Sequence, residues 1–206
     1  MDRPLFIVVE GLDGSGKSTQ IDLLKHQLQG LGQACYLTAE PTELPTGRFL
    51  RQILAGEIEA DMRTVAALFA ADRMEHLFHP IEGLLAKLEQ GYHVIASRYY
   101  FSSLAYQSEY ADPAWIASLN RLAKQTLPAD LTLFLDLPPE VSMQRISARG
   151  ETTEIYESLE KLSHVRESFQ LAFEHFGANE RIRTIDASGT VAEVADSIWL
   201  EVSTLL

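Results

Sequence analysis

Leu5-Phe6-Ile7-Val8-Val9, followed closely by Gly11-Leu12-Asp13-Gly14-Ser15-Gly16-Lys17-Ser18, is the stretch that decides the fold. The first run is continuous, apolar and β-rich, the pattern of a parallel strand buried on both faces. The second fits G-x-x-x-x-G-K-[ST]. From 18 to 28, Ile21, Leu24 and Leu28 then recur at helical spacing until Gly30 and Gly32 end the pattern. Strand, glycine-rich turn and helix in that order are the setting the motif requires. Backbone N–H groups there turn inward around phosphate oxygens, and the helix N-terminus adds positive potential. Lys17 would bridge the β- and γ-phosphates of a nucleoside triphosphate and Ser18 would ligate Mg²⁺. Gly11, Asp13, Gly14, Ser15, Gly16 and Thr19 complete the expected cradle. The plainer reading is a glycine-rich turn with no ligand.

Working outward, the chain alternates strand and helix. Further strands are expected at 34–38, 92–96, 131–137 and 181–185. Helices are expected at 49–54, 64–77, 81–88, 102–107, 113–125, 139–148 and 157–176, with a last one from 191. That order predicts an α/β, three-layer P-loop NTPase fold: a five-stranded parallel sheet flanked by helices on both faces, in a single domain over 1–206. Ligands of such sheets sit beyond the carboxyl ends of the strands. The chain has 206 residues, 46% of them hydrophobic and 22% charged, which suffices for one core and no more. Its net charge of −12 argues against coating nucleic acid or an anionic membrane, so a polyanionic ligand must be held by a few placed cations. Cys35 is the only cysteine, which excludes an intramolecular disulfide and fits a reducing compartment. The apolar run at 5–9 is too short for a signal peptide or a membrane span, and a cytoplasmic protein is expected. A guanine-reading Asn-Lys-x-Asp motif is absent, which weakens a switch GTPase reading.

Several further stretches fall into one pattern: Glu10 through Gln20, Glu40-Pro41-Thr42, Phe69-Ala70-Ala71-Asp72-Arg73, Arg98-Tyr99, Ser102-Ser103-Leu104-Ala105-Tyr106-Gln107, Pro128 through Asp136, and Arg149-Gly150. In order and spacing they resemble the thymidylate kinase family, and the likeness covers nearly the whole chain. The resemblance implies ATP- and Mg²⁺-dependent phosphorylation of dTMP to dTDP, in dTTP synthesis, by a homodimer. It also implies that Phe69 stacks on the thymine ring, that Arg73 meets the base, and that Arg98 grips the acceptor phosphate with two parallel N–H bonds. Asp13 would contact the acceptor sugar, while Glu40, Pro41, Ser102, Ser103, Tyr106 and Gln107 would line base and sugar. For Phe69 the plainer reading is a core side chain; for Arg73 it is a surface arginine paired with Asp72 or Glu75. An apolar helix face among residues 49 to 77 could supply the dimer contact.

Three positions depart from the family pattern. Ala39 stands where an arginine usually precedes Glu-Pro, and Ser97 stands where an aspartate usually precedes the arginine. The lid expected at 149–157 lacks the Asp-Arg pair near Thr153 and Glu154, which leaves Arg145 and Arg149, one helical turn apart, as the nearby cations on the ATP side. Lys17, Arg98, Arg149 and Mg²⁺ would then neutralise the transferring phosphoryl group. These departures keep two alternatives open: a kinase of a different nucleotide or phosphorylated acceptor, and a weakly active or non-catalytic nucleotide-binding relative.

Overall fold

The central strand β1 (Phe6–Gly11) is buried along its whole length, as its unbroken apolar run requires. The computed structural model describes residues 3–149 and 158–206. After β1 come α1 (Lys17–Gly30), β2 (Cys35–Ala39), α2 (Pro45–Leu54), α3 (Met62–Phe78), α4 (Leu84–Glu89), β3 (His93–Ser97) and α5 (Tyr100–Gln107). The order continues with α6 (Pro113–Thr126), β4 (Leu131–Asp136), α7 (Pro139–Arg149), α8 (Leu159–Phe176), β5 (Ile182–Asp186) and α9 (Val191–Ser203).

The strands lie in the order β2-β3-β1-β4-β5, and all are parallel. Alternate side chains of β1 serve opposite faces. Ile7 and Val9 pack with Ile21, Leu24 and Leu28 of α1 and with Val194, Ile198 and Val202 of α9. Phe6 and Val8 join the other layer, built largely from α2, α3, α5, α6 and α8. The expected five-stranded sheet with helices on both faces is therefore present. Register places Val9 opposite both Ser97 and Leu133, so the residues that follow β1, β3 and β4 meet at one edge of the sheet.

Element ends differ from the sequence reading by one to four residues, the largest being α2, which begins at Pro45 because proline suits the first turn of a helix. β2, β3 and β5 each lie one residue further along the chain. α3 starts earlier because the Asp61 carboxylate accepts from the Arg63 amide and caps it. α4 starts later, at Leu84 after Gly83. α5 begins at Tyr100 and all of its residues are buried, so it carries no amphipathic stripe that would reveal its start. Among residues 49 to 77, Leu50, Ile53, Leu54, Val65 and Leu77 are buried in the core, while Phe49 is 43% exposed. Residues 150–157, most of the expected lid, lie outside the described residues.

Beneath α5, Phe169 of α8 is fully buried, with its ring 5.0 Å from Phe134 and 6.1 Å from Tyr106. Phe169→Ala should lower unfolding free energy by about 3–5 kcal/mol, read from urea denaturation, through lost burial and the cavity left under the site. An unchanged midpoint would show that this layer collapses to fill the space.

Candidate active site

The turn after β1 is shaped by backbone rather than side chains. Gly14 has φ +80°, and a Cβ there would lie 2.7 Å from the Ser142 carbonyl of α7; at Gly11, φ +146°, it would meet the Leu135 carbonyl at 2.8 Å. The loop therefore sits flush against β4 and α7, and the Ser142 hydroxyl donates to the Asp13 carbonyl. Ser15 is buried, and Gly16 precedes the first turn of α1, where Ser18 and Thr19 face solvent. Lys17 Nζ donates to the Gly11 and Leu12 carbonyls at 2.9 and 2.7 Å, curled over the loop where phosphate would lie. On α7, Arg145 donates to the Ala187 carbonyl of the β5–α9 connection at 3.2 Å. Arg149 is the last residue of α7; its side chain, with Thr153 and Glu154, lies outside the described residues.

Beside this loop opens a cleft of about 600 Å³, and all ten residues expected to bind the acceptor line it: Asp13, Glu40, Pro41, Phe69, Arg73, Arg98, Ser102, Ser103, Tyr106 and Gln107. Phe69 is partly buried and contributes to the wall, so it is not a closed core side chain. Gln107 is 1% exposed, and its Oε1 has no hydrogen-bond partner among the described residues. A buried orphan acceptor in a cleft wall is suited to a ligand N–H.

Arg98 stands at the seam between loop and cleft. It follows β3 with φ +71°, a conformation that costs energy in a residue with a Cβ and that recurs where surrounding contacts impose it. Its guanidinium donates to the Asp13 carboxylate, to the Tyr106 hydroxyl at 3.1 Å and to Ser102 Oγ at 3.2 Å. It also lies 4.7 Å from the centroid of the Tyr106 ring. Burial acts to raise the Asp13 pKa, but Arg98 and then Lys17 outweigh it and hold the carboxyl at about 2.

Arg73 is 1% exposed and pairs with Glu40 at 2.6 Å, which overturns the surface reading with Asp72 or Glu75. It also donates to Ser103 at 3.0 Å and to the Asn120 side chain. Burial would raise the Glu40 pKa, yet Arg73 and His76 bring it below the ordinary value. His76 holds Glu40 through Nδ1 at 3.0 Å and Thr38 through Nε2 at 2.7 Å. Asp72 turns the other way and accepts from the Thr42 amide at 2.9 Å; burial raises its pKa.

Sequence reasoning passed over Arg51, Leu54 and Ala55, which line the same cleft from α2. Arg51 pairs with Glu43 at 3.2 Å and borders the space beside Ala39, so a cation stands near the position that lacks one. On the sequence it reads as an ordinary exposed helix residue. Glu10 was also left without a role: it is fully buried, and burial raises its pKa against the Ser102 hydroxyl, Arg98 and the amides of Tyr99 and Ser102.

Asp13 supplies a pH test. Its folded pKa lies below the unfolded value, so its stabilisation is present above about pH 4 and is lost as pH falls through about 2. Unfolding free energy measured from pH 4 to 2 should fall more steeply for the natural chain than for Asp13→Asn, by about 2 kcal/mol over that window. Parallel curves would mean that Arg98 does not depress Asp13.

Comparisons with known proteins converge on one group. A sequence profile described as thymidylate kinase matches residues 9–198. A probable thymidylate kinase of Thermococcus gammatolerans is 38% identical over 199 residues, covering 92% of this chain and 91% of the relative. One of Pyrococcus horikoshii is 37% identical, covering 95% and 94%. A thymidylate kinase of Leptospira borgpetersenii is 36% identical over 82% of this chain and 81% of its own length.

Proposed function

This chain belongs to the thymidylate kinase family, and from that premise we propose that it transfers the γ-phosphoryl group of ATP to dTMP, releasing ADP and dTDP. The observation that carries the reading is the single cleft beside the phosphate loop that collects a ring for the base, a buried arginine, an orphan amide oxygen and, at the seam, Arg98. Phe69 offers an apolar face for stacking, and Gln107 Oε1 suits an N–H on the edge of the base. Arg73, immobilised by Glu40, Ser103 and Asn120, presents a fixed cation rather than a mobile one.

An acceptor phosphate oxygen attacks the γ-phosphorus in line. A P–O bond forms to that oxygen, the bond to the β–γ bridging oxygen breaks, and its electron pair leaves with ADP. The acceptor phosphate is largely dianionic at neutral pH, since its second pKa is about 6, so no general base is needed. Arg98 orients that phosphate, and Lys17 swings from its loop carbonyls to the donor phosphates. Arg145 and Arg149, on the helix that packs against Gly14, belong to the ATP side. The Ser18 hydroxyl would help to hold Mg²⁺, which would supply neutralisation of the phosphate charge. The protein donors fit a sparsely held ion of that kind: the Ser18 hydroxyl is exposed at the first turn of α1, and the described residues contain no cluster of three acids or histidines. The reading includes a cytoplasmic homodimer, supported by family membership and the lone Cys35; no helix among the described residues is long and apolar enough to cross a membrane.

A coupled ADP-release assay across dTMP, dUMP, dCMP, dGMP, AMP and GMP tests the proposal, with dTMP expected to turn over fastest. Preference for another acceptor would support the altered-acceptor alternative that Ala39, Ser97 and Glu154 keep open, and no turnover would reject a kinase. In the same assay Lys17→Ala should lose at least about a hundredfold in turnover, as when a preorganised charge stabiliser is removed. Arg98→Ala should weaken the acceptor's KM term by about 2–3 kcal/mol while leaving that of ATP nearly unchanged. A shift in the ATP constant instead would assign Arg98 to the donor.

A further inference from the structure

α5 carries much of the cleft wall, yet its N-cap residue, Tyr99, makes no side-chain cap. The first N–H groups of a buried helix need acceptors. They find them on another element. Glu10, the penultimate residue of β1 and one position before the phosphate-loop motif, accepts from the Tyr99 amide at 2.9 Å and the Ser102 amide at 3.2 Å on Oε1. Its Oε2 accepts from the Ser102 hydroxyl at 2.6 Å. The same Ser102 Oγ receives Arg98 Nη1 at 3.2 Å.

We propose that Glu10 is a positioning residue for phosphoryl transfer: it caps α5 from β1 and, through Ser102, aims Arg98 at the acceptor phosphate. The inference rests on the acceptor site proposed above. Three donors converge on two oxygens, a demand that a carboxylate meets because both of its oxygens only accept. Its charge also sits at the positive end of the α5 dipole. With the Ser102 proton committed to Glu10, the oxygen lone pairs of Ser102 accept from Arg98 Nη1, while Nη2 goes to Asp13. Because Glu10 runs directly into Gly11, the strand that sets the donor loop also sets the acceptor wall, with no flexible segment between them. This arrangement holds Arg98 without a carboxylate at position 97, where the chain carries Ser97.

Glu10→Gln preserves shape but replaces one acceptor by an NH₂ group. With its oxygen toward the two amides, the NH₂ donates to Ser102 and strips the hydroxyl proton of its acceptor. With the amide reversed, NH₂ faces N–H. The wild-type chain is assayed first with dTMP and ATP; absence of turnover overturns the site reading and the proposal with it. Given turnover, E10Q should raise the KM for dTMP roughly tenfold or more, as for loss of a charge-assisted contact, with the KM for ATP within about twofold. In a double-mutant cycle with Ser102→Ala, the two effects on the dTMP KM should be strongly non-additive, because Glu10 acts through Ser102. Thermal melts accompany each variant. A lowered melting temperature with an unchanged dTMP KM, an equal rise in both KM values, or additive effects would each overturn the proposal. Should E10Q not fold, Glu10→Asp replaces it, keeping an acceptor-only group on a shorter arm, and the same selective rise in dTMP KM is required.

Discussion

A guanidinium held against a carboxylate at the mouth of the phosphate loop, Arg98 on Asp13, is the contact on which the rest of the site depends. Asp13 belongs to the loop that follows β1, and Arg98 to the residue that follows β3. Parallel pairing of those strands, with Val9 opposite Ser97, brings the two to one place. The ion pair keeps the Asp13 carboxylate ionised far below neutral pH. The guanidinium is held by three groups, Asp13, Tyr106 and Ser102, rather than by one closed pair.

The second cation, Arg73, obeys a different logic. It is sealed among Glu40, Ser103 and Asn120, with Tyr99 at 5.4 Å beneath it. Burying such a pair is costly unless every donor and acceptor is used, and here the network extends through His76 to Thr38 on β2. Its yield is definition of shape. Nε and Nη2 of Arg73 are engaged on Glu40 and Nη1 on Ser103 and Asn120, so the group is fixed in the cleft wall. Arg98 stands partly open at the cleft edge and Arg73 is sealed, and the contrast follows from what surrounds each guanidinium.

Much of this was legible in the chain because its signals are local. The buried strand, the glycine spacing and the helix after it are consecutive residues, so Lys17 and its loop needed no tertiary information. Strand ends moved by one residue because apolar runs mark what is buried rather than where the hydrogen-bonded ladder stops. α5 kept its start hidden because a helix buried on all sides has no periodic pattern. The partners of Arg73 were misread for a related reason: Asp72 and Glu75 are close in sequence, but Asp72 faces Thr42, and Glu40 arrives from beyond β2. Arg51 reads as a solvated helix residue, and Glu10, though it opens the family motif, carries no local mark of the helix it caps.

By itself the sequence determined the element order, the parallel sheet, the phosphate loop and, through its motifs, the family. These follow from periodicity, backbone freedom at glycine and fixed spacing along one chain. Only the tertiary structure decided which side chains share a cleft, that Arg98 is gripped by Asp13 and Ser102, that Gln107 Oε1 meets no donor among the described residues, and that β1 caps α5 through Glu10. Those facts join residues as far apart as Glu10 and Ser102, and such a contact exists only once a sheet has set neighbouring strands in register and burial has forced each polar group to find the partner that water no longer supplies.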